Sequence, residues 1–221
     1  MANILNFFLS QSIFIPIIIG LVRIKHFNRN YYPFFLVLII GFFAELASFI
    51  EINTFNESNA WVIKTYSLAE AVILLYQFYV WRQGKRGQAI FVVLGAICLL
   101  FWIVEVVLFN NLNTFSPYFR VFYAFVLVLL SINQINSMIF YHEGTLFKNP
   151  RFILCLGFIV IFLYQIIYEA SYYVGSDQST VANKIIMGFG YINFSINLLY
   201  AVAMFFITDK KNDYNRYFSG Q

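Results

Sequence analysis

The sequence predicts an all-α integral membrane protein: a bundle of seven transmembrane helices, with the N-terminus outside and the C-terminus cytoplasmic. Three observations carry that prediction. Of 221 residues, 61% are hydrophobic and only 11% charged, whereas a soluble domain carries roughly 25% charged residues. Seven stretches are apolar over a span's length, about 20 residues for a helix crossing the hydrocarbon core. Lys and Arg gather in alternate connections, the asymmetry that orients a multi-pass protein.

The spans predicted run over 4–22, 31–50, 60–81, 88–109, 117–141, 151–174 and 183–207, as one domain with short connections. The first contains Pro16. No basic segment precedes it and no small-residue cleavage site follows, so it is expected to be a retained helix and not a signal peptide. The second carries Gly41, Glu45 and Ser48 on one small, polar face, where a neighbouring helix can approach closely. Glu45 lies about five residues from the outer end, ~8 Å deep at the helical rise. The third places Tyr66, Glu70 and Gln77 on one stripe, because steps of four and seven return to the same face. Lys64 sits nearer its outer end, and its cytoplasmic end reads Tyr79-Val-Trp-Arg82.

The fourth span brings Cys98, Trp102 and Glu105, and the fifth brings Arg120 near its outer start and Asn133, Gln134 and Asn136 in its inner half. The sixth groups Gln165, Glu169 and Tyr172 on a stripe, and holds Cys155. The seventh groups Asn193, Asn197 and Tyr200, with Lys184 at its outer start. Cys98 and Cys155 fall far from any CxxC spacing and are expected to be free thiols in packed helices. Lys64 and Lys184 are close enough to helix ends to snorkel to the interface.

Orientation follows from Arg23, Lys25, Arg29, Arg82, Lys85, Arg86, Lys148, Arg151, Lys210, Lys211 and Arg216, which share one predicted side. The other side's connections carry Glu51, Glu57 and Asp177 and no cation. The net charge of +4 therefore reflects topology, and no nucleic-acid partner is expected. An internal echo recurs at a spacing of 124 residues: Glu45 with Glu169, Asn59 with Asn183, and Leu74-Leu75-Tyr76 with Leu198-Leu199-Tyr200. It suggests a 3+1+3 pseudo-repeat of the kind found in sugar facilitators, although apolar helices also align by chance.

Charge within hydrocarbon is costly and marks a functional position by default. Paired buried charges also occur as packing elements. The set formed by Glu45, Tyr66, Glu70, Glu105, Arg120, Gln165, Glu169, Asn193 and Asn197 lies mostly in the outer half and middle of the bundle. It predicts an outward-facing polar cavity for a small polar or zwitterionic molecule, with the ligand's cation facing the glutamates and its anion facing Arg120. No cofactor or metal is expected. The only histidines are His26 and His142, in connections, so haem and zinc sites within the bundle lack ligands. Aspartate is missing from every span, and helix 7 has no mid-helix lysine for a retinal. No nucleophile–base spacing points to an enzyme.

The segments Tyr66-Ser-Leu-Ala-Glu70 and Tyr76-Gln-Phe-Tyr79, with Arg120 and the stretch Asn193 to Tyr200, resemble a family of uncharacterised bacterial seven-helix integral membrane proteins, some encoded beside sensor kinases. The resemblance implies a bacterial inner membrane and a signalling context. The expected function is thus a membrane sensor that passes ligand binding to a cytoplasmic partner, such as a sensor kinase. The alternatives are a facilitator or proton-coupled transporter, and a structural subunit of a larger membrane complex.

Overall fold

Apolar runs of this length leave their backbone polar groups no partner in hydrocarbon except one another, which selects helices. The computed structural model describes residues 9–55, 58–82, 88–108, 116–141, 146–173 and 180–207, and no strand occurs among them. Its α-helices are α1 (Phe14–Val22), α2 (Tyr32–Ile50), α3 (Ala60–Trp81), α4 (Gln88–Leu108), α5 (Tyr118–Tyr141), α6 (Pro150–Tyr173) and α7 (Thr180–Phe206). Each falls on one predicted span. Residues 4–8 of the first span lie outside the described residues, as do Asn56, Glu57, Lys85, Arg86, His142, Asp177, Lys210, Lys211 and Arg216, and the side chains of Tyr172 and Asn183.

Helix ends follow local chemistry. A 3₁₀ turn over Gln11–Ile13 leads into α1, so Pro16 sits in the first α turn, where a missing N–H is tolerated. Pro33 likewise occupies the first turn of α2. Asn149 caps α6, its Oδ1 accepting from the Arg151 amide at 3.0 Å, with Pro150 at the first helical position. α2 runs on past its predicted end into a π-helical turn over Glu51–Phe55.

Five helical stretches are long and apolar enough to cross a membrane: Arg29–Phe55, Gln88–Leu108, Tyr118–Phe140, Pro150–Ser171 and Met187–Phe206. The α1 stretch is apolar but shorter. α3 misses the criterion through composition, because Lys64, Glu70, Gln77 and its tyrosines dilute the apolar residues. By length and composition, this is an all-helical, multi-pass membrane protein.

Consecutive helices pack side by side, α1 closes the ring against α7, and α3 also reaches across to α5. The polar α3 is thus an inner helix, and the apolar α4 turns Val92, Leu100, Val107 and Leu108 outward. In the core, the rings of Phe34, Phe158 and Tyr200 meet edge to face, with centroids 5.0–5.9 Å apart. Gly157 makes this approach possible: a Cβ there would stand 2.5 Å from the Tyr200 ring. Cys98 and Cys155 are buried free thiols. At the end opposite the carboxylates, the Arg23 guanidinium donates to the Phe205 carbonyl and lies over that ring, 4.9 Å from its centroid.

Candidate functional site

Glu70 occupies the middle of α3, and Tyr66 lies one turn before it on the same face. The Tyr66 hydroxyl donates to Glu70 Oε1 at 2.9 Å. From α5, the Tyr123 hydroxyl donates to Oε2 at 2.6 Å. Gln165 of α6 then donates through Nε2 to the Tyr123 oxygen at 2.9 Å. Glu70 thereby accepts one hydrogen bond on each oxygen, and a polar chain links α3, α5 and α6.

A second link joins α5 and α6. Arg120, three residues before Tyr123, places Nη1 2.5 Å from Oε1 of Glu169, which is wholly buried. Gln165 and Glu169 are four residues apart, so α6 offers two successive rungs to Arg120 and Tyr123 of α5. Charge holds this pair, since neither Glu169 oxygen receives an aligned hydrogen bond. Arg120 also acts electrostatically on Glu45 and Glu70.

Glu45 reaches this group from α2. The Tyr66 hydroxyl lies against Gly41, where a Cβ would be 3.1 Å from it. One turn further along that face, Glu45 interacts electrostatically with Tyr66 and Arg120. No donor bonds its carboxylate among the described residues, and both Glu45 and Glu70 stay partly accessible. Of the predicted set, the structure thus brings together Glu45, Tyr66, Glu70, Arg120, Gln165 and Glu169.

Two of the three remaining predicted members have other local roles. Glu105 of α4 accepts from the Phe119 amide at 2.5 Å and from the Ser116 hydroxyl, so it caps the N-terminus of α5 from a neighbouring helix. Asn197 donates to the Ser12 hydroxyl at 2.9 Å and ties α7 to the segment leading into α1. Asn193 is half-buried and makes no side-chain hydrogen bond among the described residues. Gln77, grouped by spacing with Tyr66 and Glu70, serves the far end of α3. It accepts from the Phe34 amide at 2.9 Å and donates to the Asn30 carbonyl at 2.6 Å.

Lys184 is exposed, as snorkelling requires, but Lys64 is buried. The α4 helix covers it, with the Trp102 indole donating to the Lys64 carbonyl at 3.2 Å and Glu105 interacting with its charge. Tyr123 escaped sequence reasoning, though its place three residues after Arg120 on an α-helix was the available signal.

The arrangement can bind a cation or a hydrogen-bond donor, or carry a proton on Glu70. Among the described residues, no three His, Cys, Asp or Glu side chains converge closely enough to hold a metal ion. Fold and site together define a class, a helical membrane protein with a network of ionisable groups turned inward. Comparison with family models, curated proteins and solved structures finds no match to this chain.

Proposed function

We propose that the protein is a receptor-like sensor of a bacterial inner membrane. It crosses the bilayer seven times with its N-terminus outside, and binds a small polar or zwitterionic molecule between α2, α3 and α5. One observation carries this reading. Arg120 pairs with Glu169 and its charge is also felt by Glu45 and Glu70, and those last two carboxylates remain partly accessible. A purely structural network would be expected to match its buried charges one to one. Ligand binding acts by preferring one packing of α5 against α3 and α6. The output is read at the opposite end, where Lys25, Arg29, Arg82 and Lys148 are exposed for a partner such as a sensor kinase.

The test is a cysteine at position 45 in a Cys98→Ala, Cys155→Ala background. It should react with a membrane-impermeant thiol reagent added from outside, and cross-linking in the native membrane should capture a signalling partner. Absence of labelling at position 45 would reject the outward-open site.

The chain from Gln165 through Tyr123 and Glu70 to Tyr66 favours a second reading, a proton-coupled carrier with Glu70 as the proton site. Substituting Glu70→Gln would then abolish pH-driven uptake into liposomes, whereas a sensor shows no uptake in either form. The 124-residue echo lends this reading little support. Leu74 is buried and Leu198 exposed, while Tyr76 is exposed and Tyr200 buried, so matched positions do not share an environment.

A further inference from the structure

The half of α5 that runs away from Arg120 carries amides the polar network does not use. Over Tyr118–Tyr141 the helix buries Ala124, Leu127, Ser131 and Met138 on one side. Leu129, Asn133, Asn136, Ser137 and Phe140 lie on the other side, and all five are exposed. Leu129, Asn133, Asn136 and Phe140 recur at steps of four, three and four, the spacing of a seam between two helices packed nearly parallel.

Asn133 stands eight residues before Tyr141, about 12 Å from that end of the helix. In a hydrocarbon core about 30 Å thick, a helix of 24 residues places it well inside. Its short side chain has no stem on which to snorkel. Hydrocarbon offers an amide no partner, and leaving one unbonded there is costly. Other exposed polar side chains of the bundle turn back to a carbonyl one turn earlier. Asn53 donates to Phe49 at 2.8 Å, Thr65 to Trp61 at 2.8 Å and Ser195 to Tyr191 at 2.9 Å. Asn133, Asn136 and Ser137 make no side-chain hydrogen bond among the described residues.

An amide is donor and acceptor at once, so a second amide completes it. Copies of one chain share one orientation in the bilayer. A two-fold axis along the membrane normal therefore sets α5 against α5 in parallel, with each amide opposite its counterpart at the same depth. An unrelated partner would need polar groups of its own at both levels. Ser137, one turn from Asn133 on this face, is small enough to let the two backbones approach. We infer that the chain forms a homodimer through this face of α5, with Asn133 and Asn136 of one copy hydrogen-bonded to those of the other. The dimer does not depend on whether the network around Glu70 binds a ligand.

The experiment is oxidative cross-linking of single-cysteine, full-length chains in native membranes, in a Cys98→Ala, Cys155→Ala background. Leu129→Cys and Phe140→Cys leave both amides in place and should each yield a covalent dimer. Val202→Cys, on the exposed face of α7, should stay monomeric. Asn133→Leu with Asn136→Leu, carried on Phe140→Cys, should weaken the dimer at least about tenfold, read in liposomes as the lipid dilution at which half the cross-linking is lost. No dimer at positions 129 and 140 refutes the inference, and so does equal yield at position 202, which would mean random collision. An adduct with a different protein at position 129 or 140 overturns the second copy as occupant. Unchanged cross-linking in the Leu variant overturns the role of the amides. A Leu variant that fails to fold does so too, because the amides would then serve the single chain.

Discussion

The Arg120–Glu169 pair offers the sharpest test of how the site is built, because its two partners have unequal alternatives. With charge centres about 4 Å apart and an effective dielectric of about 20, the attraction is about 4 kcal/mol. Removing one partner of a buried pair typically costs about 3–5 kcal/mol, because the other charge is stranded. Here the stranding is asymmetric. In Glu169→Gln, Arg120 keeps Glu45 and Glu70 within its field, so the cost should fall below that range, at about 2 kcal/mol. In Arg120→Gln, three carboxylates lose the guanidinium they share, and Glu169 is wholly buried, so the cost should reach about 4–5 kcal/mol. The double variant should be more stable than the sum of the singles implies, with a coupling of about 1–3 kcal/mol. Reversible unfolding in mixed micelles, run as a double-mutant cycle, measures all three quantities. Equal costs for the two single variants would refute the shared-cation arrangement, and additivity would refute the pair itself.

Two further predictions concern helix ends held from neighbouring helices. Replacing Gln77 with Leu keeps its volume but leaves the Phe34 N–H and Asn30 carbonyl without their side-chain partner, and should cost about 2–3 kcal/mol in the same unfolding assay. A loss under about 0.5 kcal/mol would show that the contact contributes little, as for the weaker interhelical hydrogen bonds in membranes. Substituting Glu105→Ala removes the cap on α5 at a cost of about 1–2 kcal/mol. Hydrogen exchange at the Phe119 amide should accelerate relative to amides in the middle of α5, and unchanged protection there would rule out the capping role.

The helices were legible in the sequence because hydrocarbon leaves few choices. A run of apolar residues bounded by charged or amide residues predicts a helix without knowledge of its neighbours, and 60–81 was found as α3 (Ala60–Trp81). The elements that crossed expectation are those whose ends depend on other helices. The N-terminus of α2 is satisfied by Gln77, forty-three residues from Phe34, and that of α5 by Glu105, fourteen residues from Phe119. Neither pairing follows from spacing along one helix. In both cases, an intramembrane polar residue that sequence reasoning assigned to a polar stripe or cavity acts as a cap.

The same physics separates the site residues that were legible from those that were not. Helical periodicity placed Glu70 with Tyr66 and Glu169 with Gln165, because each pair lies on one face of one helix. It could not say that Arg120 would choose Glu169 over Glu45 or Glu70, since that depends on how α5 sits against α6. This choice decides the chemistry of the site. With Glu169 buried against it, Arg120 makes its closest contact inside the protein, and Glu45 and Glu70 share only its longer-range field. A residue pattern read from sequence supplies the ionisable groups, but the pairing among them, fixed only by packing, determines which charges are matched within the protein.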